Sequence, residues 1–249
     1  MSARKVMTAL AVNLCRLVVA LTFIFSGYVK AIDPLGTQYK LQDYLEAMQL
    51  AQYVPDYVTL GASVLLGGLE FWLGVMLLFA IRRRLVTRLL LLMMAVMTPL
   101  TLWLAVSNPI KDCGCFGDAV VLTNWETFYK NVVLLAATIL LVKRPPMMPR
   151  FISHTNQWIV STYTVVFILV SSSTSLYTLP PFDFRPYHIG ADIKKGMEIP
   201  EGAKQPQFET TFILEKNGER KEFTLNDYPD STWTFIDSKT VQTEEGYVP

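Results

Sequence analysis

The chain has 249 residues, of which 51% are hydrophobic and only 17% charged, whereas a soluble domain carries about a quarter charged residues. Its formal net charge is +1, and it has no basic stretch of the kind that grips nucleic acid. Three cysteines are too few for a disulfide scaffold, so the composition points to the bilayer as solvent.

An apolar run of about 18 residues or more spans the hydrocarbon core as a helix. Five runs approach or exceed that length: residues 7–29, 57–80, 85–106, 125–142 and 158–177. Backbone polar groups must be satisfied inside lipid, so each is expected to be helical. The first run has no small-residue cleavage site after it and reads as a retained span rather than a signal peptide. The loop after it has Leu41, Tyr44, Leu45 and Met48 at helical spacing, with Asp43, Glu46 and Gln49 facing away. That pattern fits an amphipathic helix at the membrane surface or a helix packed over the bundle.

Lysines and arginines in short loops set orientation. Arg4, Lys5, Arg82, Arg83, Arg84, Arg88, Lys143, Arg144 and Arg150 fall on one side of five crossings, with no acidic residue among them. The opposite loops hold Lys30, Lys40 and Lys111 against Asp33, Asp43, Glu46, Asp56, Asp112, Asp118 and Glu126. The N-terminus is therefore expected in the cytoplasm of a bacterium. The tail from about residue 178 is expected in the periplasm, as is the loop carrying Cys113 and Cys115.

The tail, residues 178–249, opens with Pro180-Pro181 and contains Pro186, which suits an extended exit from the membrane. Strands are expected over residues 208–214 and 220–225, with Asn217-Gly218 between them as a hairpin turn. A further strand is expected over residues 233–236. The architecture expected is thus an all-α transmembrane helix bundle over residues 1–177 with a small β-rich extracytoplasmic module.

Chemistry concentrates in Asp112-Cys113-Gly114-Cys115-Phe116-Gly117. Two thiols separated by one glycine are close enough to bridge, and exposed or strained bridges are the exchangeable ones. The pair reads as a reversible dithiol/disulfide, as a static loop staple, or as part of a metal site. The last needs further ligands, and His154 and His188 lie elsewhere in the sequence, so no metal is expected. Cys15 lies roughly 20 Å below that surface at helical rise and reads as a packing residue. Lys30, Asp33 and Lys130 stand at the same level as the pair and are candidates to tune a thiolate, though simple snorkelling explains the lysines as well. Arg16 and Glu70 lie inside spans, each roughly 14–15 Å from the inner boundary, and are expected to pair. Such a pair fixes helix register or marks a proton-linked, quinone-proximal site.

Phe25-Ser26-Gly27-Tyr28-Val29-Lys30 with Ile32-Asp33-Pro34 resembles the end of the first helix in DoxX-like membrane proteins. Cys113-Gly114-Cys115-Phe116-Gly117, followed by Trp125 and Lys130-Asn131, resembles the methylamine-utilisation MauE branch, and Gly68-Leu69-Glu70 fits its second helix. The resemblance covers roughly residues 10–142 and implies a four-helix core, to which this chain adds a fifth span. It implies a redox-associated inner-membrane protein with Cys113 and Cys115 as the redox pair. Lys130 stands where an arginine is expected, so a role needing a bidentate fork is not carried over.

Two functions compete. One is a membrane thiol–disulfide relay, an oxidoreductase or its accessory subunit. It would exchange electrons with a periplasmic thioredoxin-like or disulfide-containing protein, with a quinone as the cofactor at the other terminus. The other is a non-enzymatic assembly factor or scaffold in which the CGC loop is a staple.

Overall fold

The computed structural model describes residues 3–110 and 112–178 and most of the tail. Residues 1, 2, 111, 179, 181, 183, 185–189, 199–201, 203, 205, 206, 217, 218, 228, 231 and 245–249 lie outside the described residues. Lys111, Pro181, Pro186, His188 and the Asn217-Gly218 turn are among those positions. The chain divides into two compact units, Met1–Arg185 and Pro186–Pro249.

The first unit is helical. Five helices are long and apolar enough to cross a membrane: α1 (Ala3–Ile32), α3 (Asp56–Leu78), α4 (Arg83–Ser107), α5 (Asn124–Lys143) and α6 (Gln157–Tyr177). The short helix α2 (Pro34–Ala47) follows α1. Each of the five expected spans coincides with one of these helices, four of them falling inside it and the second, 57–80, running two residues past the end of α3. Phe23, Leu73, Leu77, Leu90, Met94, Leu134 and Leu141 form one apolar core between them.

Helices α1 and α3 pack most closely. A Cβ on Gly27 would collide with the backbone nitrogen of Phe71, and one on Gly74 would lie 2.7 Å from the backbone nitrogen of Ile24. Small residues let two backbones approach where lipid supplies no hydrophobic drive between helices. Helix α6 lies against α3 and α1. Its Phe167 stacks on Phe71 with ring centroids 5.3 Å apart, and its Ser172 Oγ donates to Ala31 O at 3.1 Å. The serine-rich stretch of α6 thus turns Ser172 and Ser175 toward the bundle, where both are buried.

Of the two readings of α2, packing over the bundle is the one observed. Pro34, Thr37 and Gln38 are buried. Ser63 Oγ donates to Pro34 O at 2.8 Å, and Gln38 Nε2 donates to Thr59 Oγ1 at 3.2 Å. Asp33 caps this helix, accepting from Gly36 N at 3.0 Å, as a residue with a short side-chain acceptor does before a proline-led first turn.

The second unit contains a three-stranded antiparallel sheet in the order β2-β1-β3. Its strands are β1 (Gln207–Lys216), β2 (Glu219–Thr224) and β3 (Thr234–Glu244). Phe212 pairs with Phe223 and Lys216 with Glu219, the register of a hairpin between the two expected strands. Strand β3 is longer than the four residues anticipated, and it pairs with β1 from Gln207 to Glu215, with shifts between Gln207 and Phe208 and between Ile213 and Leu214. The polar run Asp237-Ser238-Lys239-Thr240 concealed its continuation.

Candidate functional site

Cys113 and Cys115 sit in the loop between α4 and α5. Their sulfurs are 2.9 Å apart and unbonded. Gly114 makes this possible: its φ is +60°, and a Cβ there would lie 2.7 Å from Lys40 Cγ. A left-handed backbone and a crowded neighbour both select glycine. Gly117 N donates to Gly114 O at 3.0 Å, so residues 114–117 form a tight turn that brings the second sulfur back toward the first.

Helices on every side fasten this loop. From α2, Tyr44 Oη donates to Cys113 O at 2.8 Å, and Lys40 Nζ pairs with Asp112 Oδ2 at 2.9 Å. The other Asp112 oxygen accepts from Gly114 N at 3.0 Å. From α1, Lys30 Nζ donates to Cys115 O at 2.8 Å. The same ammonium donates to Ser26 Oγ and Glu70 Oε2, each at 2.7 Å, so its three protons are all placed. Ser26 Oγ lies 2.6 Å from Glu70 Oε2 and 2.7 Å from Cys115 O, and its single proton serves one acceptor at a time. Lys30 and Glu70 are each 4% exposed. This is a buried ion pair whose remaining hydrogen bonds go to a serine and to the backbone of the cysteine loop.

The expected pairing of Arg16 with Glu70 is corrected: Glu70 pairs with Lys30. Counting depth from span ends assumed that the ends are level. They are not: Gly67 lies against Lys30 and Gly74 against Ala20 and Ile24, so the inner end of α3 stops level with the middle of α1. Gly67 packs on Lys30, with the Cβ atoms 2.7 Å apart once one is built on Gly67, which puts Glu70 level with Ser26. Arg16 is ten residues from Ser26 on α1, about 15 Å of helix. Its guanidinium donates to Pro149 O at 3.3 Å and lies 5.1 Å from the Phe151 ring centroid.

Lys130, half-buried on α5, lies 4.1 Å over the ring of Phe116, a cation–π contact. Phe116 meets Phe25 edge-on at 5.4 Å. Asp33 is occupied in capping α2 and is not part of this cluster. Cys15 packs at the edge of the apolar core.

The two thiols are electrically unequal. The hydrogen bond from Cys115 brings the Cys113 pKa down to about 6 against the opposing effect of burial, and the Thr127 hydroxyl, 3.3 Å from Cys113 Sγ, and the Lys130 charge act in the same direction. Cys115 moves the other way, raised by its hydrogen bond to Cys113 and by burial. A thiolate at Cys113 and a thiol at Cys115 share one proton. Tyr44 is raised by its own burial and by the cysteines it faces, so it stays a hydrogen-bond donor.

Beneath the loop is a cavity of about 40 Å³, room for a few waters. Ser26, Lys30, Glu70, Cys115, Lys130 and Asn131 line its polar side, and Phe23, Met93, Met94, Met97 and Leu134 its apolar side. Among the described residues no three His, Cys, Asp or Glu side chains converge as a metal site requires.

The profile of the Methylamine utilisation protein MauE family matches residues 8–144, more than half of the chain. The chain belongs to this family. The matched stretch takes in α1 to α5, and with them Lys30, Glu70, both loop cysteines and Lys130. A domain of unknown function, DUF8463, matches residues 208–245, the stretch that holds the three strands of the tail. No curated protein and no solved structure matches.

Sequence reasoning missed Ser26, Tyr44 and Thr127 in this MauE-family site. Ser26 was within reach of it: it stands four residues before Lys30, one turn down the same helix face. Tyr44 was assigned to an apolar face, and nothing local marked Thr127.

Proposed function

We propose that this multi-pass membrane protein is a thiol–disulfide relay working through Cys113 and Cys115. The observation that carries the reading is a glycine-separated sulfur pair at 2.9 Å; the lowering of the Cys113 pKa to about 6 and the raising of that of Cys115 support it. The thiolate is the attacking form in disulfide exchange, and a pKa near ambient pH suits it.

Cys113 thiolate attacks one sulfur of a partner disulfide, that bond breaks, and a partner thiolate leaves. Cys115 then loses its proton and attacks Cys113 Sγ, releasing the second partner thiolate. The pair is oxidised to a disulfide and the partner gains two electrons. Run backwards, the same steps oxidise a partner dithiol. The partner is a periplasmic thioredoxin-like or disulfide-containing protein. The charge pattern of the loops supports this orientation in a bacterial inner membrane, with the N-terminus cytoplasmic and the tail periplasmic. Disulfides also persist on that side. The resemblance to DoxX-like proteins implies a quinone as the other terminus, and small-molecule pockets run to about 300 Å³ or more. The cavity beneath the loop, at about 40 Å³, is smaller than that.

Trapping with a thiol-alkylating reagent in intact cells tests the relay. Cys113 and Cys115 are expected to interconvert between alkylated and protected forms when reductant is added. A Cys115→Ala variant is expected to accumulate a mixed disulfide through Cys113. A pair that never changes state, with no captured partner, removes the relay.

The runner-up is an assembly factor or scaffold with the loop as a staple. The burial of Cys113, 7% exposed, and the many bonds on the loop favour it. Under that reading a Cys113→Ser/Cys115→Ser variant keeps full function and loses stability.

A further inference from the structure

The end of the bundle away from the cysteines carries a cleft that the relay does not use. Arg82, Arg83, Arg84 and Arg150 line it, with Pro145 and Pro146 as its wall, and its volume is about 460 Å³. A second hollow of about 150 Å³ shares Arg84 and Pro145, adds Arg88, and runs onto the flanks of α4 and α5 at Thr87 and Val142. Residues 79–88 and 143–157, which carry the cleft and its surroundings, contain no acidic residue. Like charges gathered at one concavity raise each other's energy unless an anion joins them.

The cleft is built rather than incidental. Its wall, residues 145–150, is tied down by two guanidiniums acting on main-chain carbonyls. Arg83 donates to Met148 O and Pro146 O, and the buried Arg16 donates to Pro149 O. Met148 is fully buried beneath it. Arg83 is thereby positioned, while Arg82, Arg84 and Arg150 are exposed with no carboxylate partner among the described residues. The turn that presents them is held in an unusual backbone, with φ +55° at Ala80 and +42° at Arg82.

We infer that this cleft binds the phosphate headgroup of an anionic phospholipid, with the acyl chains lying along α4 and α5. Guanidinium forks match phosphate oxygens, and basic pockets at the end of membrane helices take such headgroups. The position at the tips of apolar helices selects a lipid over a free phosphate. Leu85, 46% exposed at the cleft, and Leu92, 64% exposed two turns along α4, continue the surface in the direction the chains would follow.

The test uses the full chain purified in detergent. Thermal unfolding is followed with added phosphatidylglycerol or cardiolipin, with phosphatidylcholine, and with inorganic phosphate alone. The anionic lipids are expected to raise the transition temperature and phosphatidylcholine to leave it unchanged. An Arg82→Gln/Arg150→Gln variant, which retains Arg83 and its carbonyl bonds, is expected to need about ten- to thirtyfold more anionic lipid for the same shift, at about 1 kcal/mol per cation. Native mass spectrometry of the wild-type chain gives a second readout if the variant does not fold: bound anionic lipid should survive an excess of phosphatidylcholine. Equal shifts with both lipid classes, or an unaltered response in the variant, overturn the inference. A full shift with inorganic phosphate alone assigns the cleft to a free anion and overturns the lipid.

Discussion

The two ends of the helix bundle hold their cations in opposite ways. At the cysteine end each described lysine has a partner: Lys30 on Glu70 and on the loop backbone, Lys40 on Asp112, Lys130 on the face of Phe116. At the other end the arginines crowd a cleft without acidic company. Lysine, a compact charge with three rotatable donors, here fixes a backbone in place. At the other end arginine takes both parts: Arg16 and Arg83 hold main-chain carbonyls, while Arg82, Arg84 and Arg150 face the cleft. One end engages all its described lysines with partners, and the other leaves three guanidiniums to present a field.

Cutting the buried pair is the hardest blow to this contrast. Glu70→Leu leaves Lys30 buried without its counter-charge. Breaking one side of such a pair costs about 3–5 kcal/mol, read as a large fall in the unfolding temperature in detergent. The Lys30→Met/Glu70→Leu double variant is expected to recover most of that stability, because two apolar groups fill the space without an orphan charge. It should not recover the hold on Cys115 O, so the alkylation rate of the cysteines should stay altered even where stability returns. A double variant as unstable as Glu70→Leu would show that the pair matters for more than its mutual charge.

The close seam between α1 and α3 carries the next effect. Gly27→Leu drives a side chain into the backbone of Phe71, and overpacking of this kind costs about 1–3 kcal/mol. Because Ser26 and Lys30 lie on the same stretch of α1 as Gly27, prising the helices apart should loosen the cysteine loop as well. Unfolding temperature and alkylation rate should therefore move together, unlike in the double variant above.

These two sites also mark what the sequence could and could not disclose. The five spans were legible because a bilayer demands long apolar runs, and no soluble fold mimics five of them. The hairpin of the tail was legible from alternation around Asn217-Gly218. Glu70 was singled out because a carboxylate inside an apolar run needs a partner, but which partner depends on the stagger of α1 and α3. That stagger is set by Gly67 against Lys30 and by α2 seated on the end of α3, contacts between residues distant in the chain. The cap made by Asp33 was hidden for a related reason: its charge was visible, but its engagement with Gly36 depends on α2 starting at Pro34. The cysteines were conspicuous, while Tyr44 and Thr127, which fasten or tune them, carry no local signature.

Titration sharpens the chemistry at the cysteine end. Alkylation follows the thiolate, so the rate at Cys113 in the reduced protein should rise with pH through a midpoint of about 6. Below that midpoint the sulfur is protonated and slow. Cys115→Ala removes the principal donor to the thiolate, so the midpoint should climb toward the ordinary thiol range of about 8.5, and the rate at pH 7 should fall. Thr127→Val removes a weaker donor and should move the midpoint the same way by less. A midpoint near 8 or above in the wild type, or one that falls in either variant, contradicts the assignment of Cys113 as the thiolate.

The smallest effect is expected at the arginine end. Arg84→Gln, measured in a neutral detergent without anionic lipid, should leave the unfolding temperature nearly unchanged, within about 0.5 kcal/mol, as for an exposed side chain with no structural partner. It should leave the Cys113 midpoint unchanged too, since α4 separates the two ends by its full length of 25 residues, about 37 Å of helix, well beyond the screening length of about 8 Å at physiological salt. If Arg84→Gln instead destabilised the chain as much as Glu70→Leu, the arginines would be structural, and the division of labour between the two ends would not hold.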